Sequence, residues 1–127
     1  MNADEFKKRT KAYAIRIVRL VESLPKTGAA AVMGRQLLRA GTSVGANYRA
    51  VCRAKSRADF VAKLTIVEEE CDETHYWMEF LIETNLVKAA LIADLMKEGN
   101  ELLAMTVASA RSARTRNNPQ SAIANPK

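Results

Sequence analysis

The chain is poor in the residues that build covalent or metal scaffolds. Among 127 residues there are two cysteines and one histidine. Cys52 and Cys71 make no CxxC pair, and one His cannot complete a zinc site, so neither a disulfide framework nor a bound metal is expected. Both thiols fall in stretches with helical spacing and are read as reduced core residues. Five Gly and three Pro leave few breaks, which favours a few long elements. Aromatics are 6% of the chain, too sparse for an aromatic-rich β-sandwich or a base-stacking surface. No apolar run approaches the roughly 18 residues of a membrane span. Met1-Asn2-Ala3-Asp4-Glu5-Phe6 is polar and acidic rather than basic and then apolar, so no secretory leader is expected. The expectation is a cytoplasmic protein with no membrane partner.

What is present is globular: 48% hydrophobic and 27% charged residues, in a length that suits one domain. Four stretches carry helical periodicity. The first runs from about Asp4 to Leu24, with a seam of Phe6, Thr10, Tyr13, Ile17, Leu20 and Leu24 spaced by fours and threes. The second runs from about Gly28 to Ala54, with Ala30, Gly34, Leu37, Gly41, Val44, Tyr48 and Val51 as its seam. Glycine costs a helix roughly 1 kcal/mol against Ala, so Gly34, Gly41 and Gly45 on or beside the apolar face suggest close approach of a neighbouring helix. A break near Gly41-Thr42-Ser43 is the alternative. The third runs from about Arg57 to Thr84, opened by a capping pattern at Ser56 and Asp59 and ended by Asn85. Its seam is Phe60, Leu64, Val67, Cys71, Thr74, Met78 and Leu81. The fourth runs from about Lys88 to Ala110, with Ile92, Leu95, Met96, Leu102, Leu103 and Val107 as core. From Arg111 the composition turns to Ser, Arg, Asn, Pro and Gln. The expectation is therefore a bundle over residues 1–110 and a disordered basic tail over 111–127. Short loops between long helices predict an all-α, antiparallel up-down-up-down four-helix bundle.

The net charge of +6 hides a segregation. Residues 1–26 carry +4, residues 27–57 carry six basic and no acidic residues, and residues 58–84 carry −7. Residues 85–110 carry −1 and the last seventeen carry +4. Wound at about 100° per residue, Arg35, Arg39, Arg49, Arg53 and Arg57 share an arc of about 80° opposite the second seam. Such a stripe suits phosphate, whose oxygens match the guanidinium fork. It equally suits carboxylates of the third helix. That helix carries a separate mixed stripe of Ile66, Glu70, Glu73, Trp77 and Phe80, which reads as a subunit interface with Glu70 or Glu73 paired to Arg39.

No catalytic constellation is visible. Asp72-Glu73-Thr74-His75 has a carboxylate-x-x-His spacing, but a di-iron bundle site needs two such motifs. Gly41-Thr42-Ser43-Val44-Gly45 lacks the Lys-Ser/Thr ending of a P-loop. Ser43 and Asn47 read as interhelix hydrogen-bonding groups, and His75 as a boundary residue. The chain is expected to be no enzyme and to need no cofactor.

The run Gly34-Arg35-Gln36-Leu37-Leu38-Arg39-Ala40-Gly41-Thr42-Ser43-Val44-Gly45-Ala46-Asn47-Tyr48-Arg49 is distinctive. Asp59-Phe60-Val61-Ala62-Lys63-Leu64 and Glu70-Cys71-Asp72-Glu73-Thr74-His75-Tyr76-Trp77 follow it. Together, over roughly Phe6 to Leu103, they resemble the bacterial four-helix bundle family, also called the 23S ribosomal RNA intervening-sequence protein family. The resemblance implies homopentamers around a central channel. It extends to accessory proteins of diversity-generating retroelements, which bind a reverse transcriptase and nucleic acid. Positions marked in that family fall here on Gln36, Arg39, Thr42, Ser43, Asn47, Tyr48, Arg49, Glu70, Glu73, Thr74, Tyr76 and Trp77.

The resulting expectation is a ring-shaped homo-oligomer that binds or scaffolds RNA or DNA. Its interface would use Arg39, Ser43, Asn47, Ile66, Glu70, Glu73, Trp77 and Phe80. Its nucleic-acid contacts would be Lys7, Lys8, Lys11, Arg35, Arg53 and Arg57. The rival is a protein-only scaffold whose arginines satisfy acidic neighbours.

Overall fold

A computed structural model describes residues 2–117. Four helices account for its regular structure, and no strand occurs among the described residues. They are α1 (Ala3–Glu22), α2 (Gly28–Val51), α3 (Arg57–Glu83) and α4 (Ala89–Asn117).

Local chemistry sets the boundaries. At the start of α1 the Asn2 side-chain oxygen accepts the Glu5 N–H at 3.1 Å, and Asp4 and Glu5 favour the positive helix end. At the start of α3 the Ser56 hydroxyl accepts the Asp59 N–H at 3.0 Å, while the Asp59 carboxylate accepts the Lys55 N–H at 3.0 Å. This is a variant of the capping box in which Asp replaces the usual Glu and reaches the N–H one residue before the N-cap. Asn85, with φ of 63°, closes α3: the Leu86 N–H reaches the Leu81 carbonyl and the Asn85 N–H reaches that of Ile82, both at 3.0 Å. That pair is the Schellman arrangement.

The periodic seams are the core. All seven seam residues of α2 are buried, as are Phe6, Thr10, Tyr13, Ile17 and Leu24 beside them. From α3, Leu64, Val67, Cys71, Thr74, Met78 and Leu81 are buried, and Ile92, Leu95 and Leu102 come from α4. Each large apolar side chain withdrawn from water contributes about 1.5–3 kcal/mol. Helix α2 runs unbroken through Gly41-Thr42-Ser43, and close approach explains the glycine: a Cβ at Gly41 would stand 2.8 Å from Ile17 Cγ2. Gly45 lies against Thr10, and Gly34 against Val21 and Leu24, so rising numbers in α2 meet falling numbers in α1. Helix α1 neighbours α2 and α4, and α3 neighbours α2 and α4, whereas α1 and α3 stand diagonally and meet only through side chains in the core.

Three details differ from the sequence expectation. Helix α2 stops at Val51, so Cys52-Arg53-Ala54-Lys55-Ser56 is a connection and Cys52 is exposed rather than in the core. Helix α4 continues past Ala110 to Asn117, because Ala110 and Ala113 still fall on the buried side. The rest of the proposed tail, residues 118–127, lies outside the described residues.

Candidate nucleic-acid interface

The charged residues divide by which helix seam they face. On the α4 side of α1, Arg9 forks onto Glu98, with Nε to Oε2 at 3.0 Å and Nη2 to Oε1 at 2.7 Å. Its Nη2 also reaches Glu101 Oε1 at 3.0 Å. The hydrogen bond with Glu98 raises the Arg9 pKa above its ordinary value despite some desolvation. Arg16 pairs with Asp94 at 2.9 Å. Across the α2–α3 seam, Arg39 donates to Glu73 and lies 3.5 Å from Glu70. The acidic helix thus takes the central arginine of α2 within one chain, whereas the sequence reading placed this pairing at a subunit interface.

The α1–α2 seam is different. There Lys7, Lys8 and Lys11 of α1 and Arg49 of α2 line a groove of about 500 Å³. Its floor is Thr10, Ala14, Thr42, Gly45 and Ala46, all small. Among the described residues none of these four cations makes an ion pair. A Cβ at position 45 would stand 3.0 Å from Thr10 Oγ1, so the glycine lets α2 approach α1 closely and leaves a low floor between the flanking cations. Four exposed cations around a shallow groove can hold phosphate oxygens by charge and hydrogen bonding.

Lys7, Lys8 and Lys11 therefore converge as the sequence proposed. Arg49 joins them: it belongs to the arginine stripe suited to phosphate, but not to the six residues expected to contact nucleic acid. Its position at the end of the helical arc, nearest the first helix, was the available signal. Arg53 and Arg57 are not on the α2 stripe, because the helix ends before them. Arg53 Nη1 donates to the Arg49 carbonyl at 3.3 Å, and Arg57 lines a separate hollow with Ala3, Tyr48 and Phe60. Arg35 lies toward the other end of the seam, in a hollow shared with Glu22 and Lys26.

The residues read as an interface are spread over the α2–α3 side. Ile66 and Phe80 are exposed, Trp77 is half-buried, and Glu70 and Glu73 hold Arg39. Tyr76, Trp77 and Phe80 form an aromatic trio with ring centroids 5.0–5.8 Å apart. Among the described residues the buried Trp77 Nε1 has no hydrogen-bond partner, nor has His75 Nδ1. Ser43 and Asn47 do not bridge helices: the Ser43 hydroxyl donates to the Arg39 carbonyl at 2.6 Å, and Asn47 Nδ2 to the Ser43 carbonyl at 2.8 Å. Both bonds run back along α2, as short polar side chains inside helices commonly do.

The family model for the 23S rRNA-intervening sequence protein matches residues 4–108. The chain belongs to that family. A solved structure from Bacteroides thetaiotaomicron VPI-5482, a protein of unknown function from the S23 ribosomal protein family, superposes with a TM-score of 0.78 at 34% identity. The match covers 87% of this chain and 99% of that one. Among curated proteins none matches this chain significantly. The family span takes in α2 and α3 whole, most of α1 and α4, and the groove residues Lys7, Lys8, Lys11 and Arg49. No helix is long and apolar enough to cross a membrane among the described residues.

Proposed function

We propose that this member of the family is a non-enzymatic, cytoplasmic nucleic-acid binder that acts as a homo-oligomer of up-down-up-down bundles. The observation that carries the binding reading is the α1–α2 groove, where Lys7, Lys8, Lys11 and Arg49 stand without counter-charges while Arg9, Arg16 and Arg39 have theirs. The ligand is the phosphodiester backbone of RNA or DNA, gripped without base reading. Assembly as a ring, pentameric as the family resemblance implies, would repeat the groove and convert weak single contacts into avidity. The exposed aromatic stripe of α3 supports assembly. By the same resemblance a reverse transcriptase is the candidate protein partner, to be tested by co-purification.

A protein-only scaffold is the second reading, favoured by the three arginines already consumed by carboxylates. Fluorescence anisotropy with labelled RNA and DNA separates the two. The binding reading expects saturable binding at low salt and steep loss as salt rises. Absence of binding at low salt leaves the scaffold.

A further inference from the structure

The outward side of α3 carries a second seam that the chain's own helices reach only at Glu73, through Arg39. Ile66, Glu69, Glu73, Tyr76, Phe80 and Glu83 follow one another at alternating spacings of three and four. Its apolar members are exposed by 43% at Ile66, 50% at Tyr76 and 39% at Phe80. Helices pair along seams with this spacing, here acidic and aromatic together.

The outward side of α1 is its chemical complement. Ile15, 46% exposed, lies between Ala12 and Arg19 at spacings of three and four. Arg19 shares a groove with Leu20 and Leu91, and Leu91 is the most exposed large apolar side chain, at 77%. Helices α1 and α3 also span the same height. Ala3 shares a hollow with Arg57 and Phe60 at one end, and Ser23 and Leu24 share a groove with Asn85 at the other. Ile15 and Arg19 are thus level with the stretch from Glu73 to Phe80.

We infer that the covering element is α1 of a second copy of this chain: Ile15 packs on Tyr76 and Phe80, and Arg19 meets their rings and Glu83. This rests on the assembly reading above and names the surfaces that meet. Because α1 and α3 are diagonal helices that present different surfaces, the contact is head-to-tail, and repetition by a rotation that closes makes a ring.

Single-chain variants Ile15→Glu and Phe80→Glu test this by light scattering and native mass spectrometry, with far-UV circular dichroism to verify folding. The wild type is expected as an oligomer larger than a dimer, and each variant as a single chain of unchanged helicity. An equal mixture of the two variants is expected to form a two-chain complex, since one intact α1 face then meets one intact α3 face. If Ile15→Glu keeps the wild-type assembly, or the mixture stays monomeric, the head-to-tail contact is wrong while the assembly reading stands. A monomeric wild type removes both. Should either variant lose helicity, Arg19→Glu and the charge swap Arg19→Glu/Glu83→Arg replace them. The single change is expected to weaken assembly and the swap to restore it; no restoration overturns the pairing.

Discussion

Cys71 and Cys52 show one residue type given two chemistries by position. Burial pushes the Cys71 thiol up to about 12, and the nearby carboxylates of Glu68, Glu70 and Asp72 add to this. Cys52, on the connection after α2, is exposed. Ellman's reagent at pH 8 should therefore titrate one thiol in the native protein and two in denaturant, and the Cys52→Ser variant should show none until unfolded. Asp59 is a second such case. Hydrogen bonding from Lys63, then from the Lys55 N–H, holds its carboxyl below the ordinary range. A carboxylate whose pKa is lowered by folding stabilises the fold above its unfolded value of about 4, and that stabilisation fades as pH falls through the folded value. The urea midpoint of the wild type should accordingly drop more between pH 5 and pH 3 than that of Asp59→Asn. Equal drops would contradict the linkage.

At the level of the helices, two contacts decide how they pack. Gly41 admits Ile17, so Gly41→Ala gains roughly 1 kcal/mol of helix propensity but drives a methyl into Ile17 Cγ1 and Cγ2. Overpacking costs about 1–3 kcal/mol, so a net loss of about 1 kcal/mol is expected by chemical denaturation. Helices α1 and α4 meet more sparsely than the other adjacent pairs, and the Arg9 fork onto Glu98 and Glu101 ties them. Removing it in Arg9→Ala should cost about 1–2 kcal/mol, given that the side chain is one-third exposed. Much of this level was legible in the sequence. The α2 seam Ala30 to Val51, the capping role of Ser56 and the stop at Asn85 all follow from spacing and residue type alone. The five-arginine stripe was not legible, because winding Arg53 and Arg57 onto α2 assumed a helix that ends at Val51. The end of α4 was missed for a similar reason: Ala110 and Ala113 are too small to mark a hydrophobic period, yet both are buried.

Across the whole molecule, charge is sorted by seam. The positive first half and the negative third helix cancel where α2 meets α3, and α4 cancels Arg9 and Arg16. Among the described residues the cations left without a carboxylate partner include the four of the α1–α2 groove, with Arg19, Arg35, Arg53 and Arg57 on other surfaces, and α3 keeps an exposed acidic and aromatic flank. The net +6 of the sequence is thus a poor guide to where a ligand would sit. Seven basic residues in the first 26 could not be divided into paired and free before the position of α4 was known. Arg49 was hidden similarly: only the approach of α1 turns it from one arginine of a stripe into the wall of a groove.

The salt dependence of nucleic-acid affinity tests that partition most directly. Dissociation constants for one labelled duplex are measured across a salt series for the wild type, for Lys7→Gln/Lys11→Gln/Arg49→Gln, and for Arg39→Gln. Counterion release predicts a steep wild-type line, flattened by about one slope unit per groove cation removed from each engaged subunit. Arg39→Gln, which removes a charge already held by Glu70 and Glu73, should leave the slope unchanged. A groove variant with the wild-type slope, or an Arg39 variant that flattens it, would contradict the account.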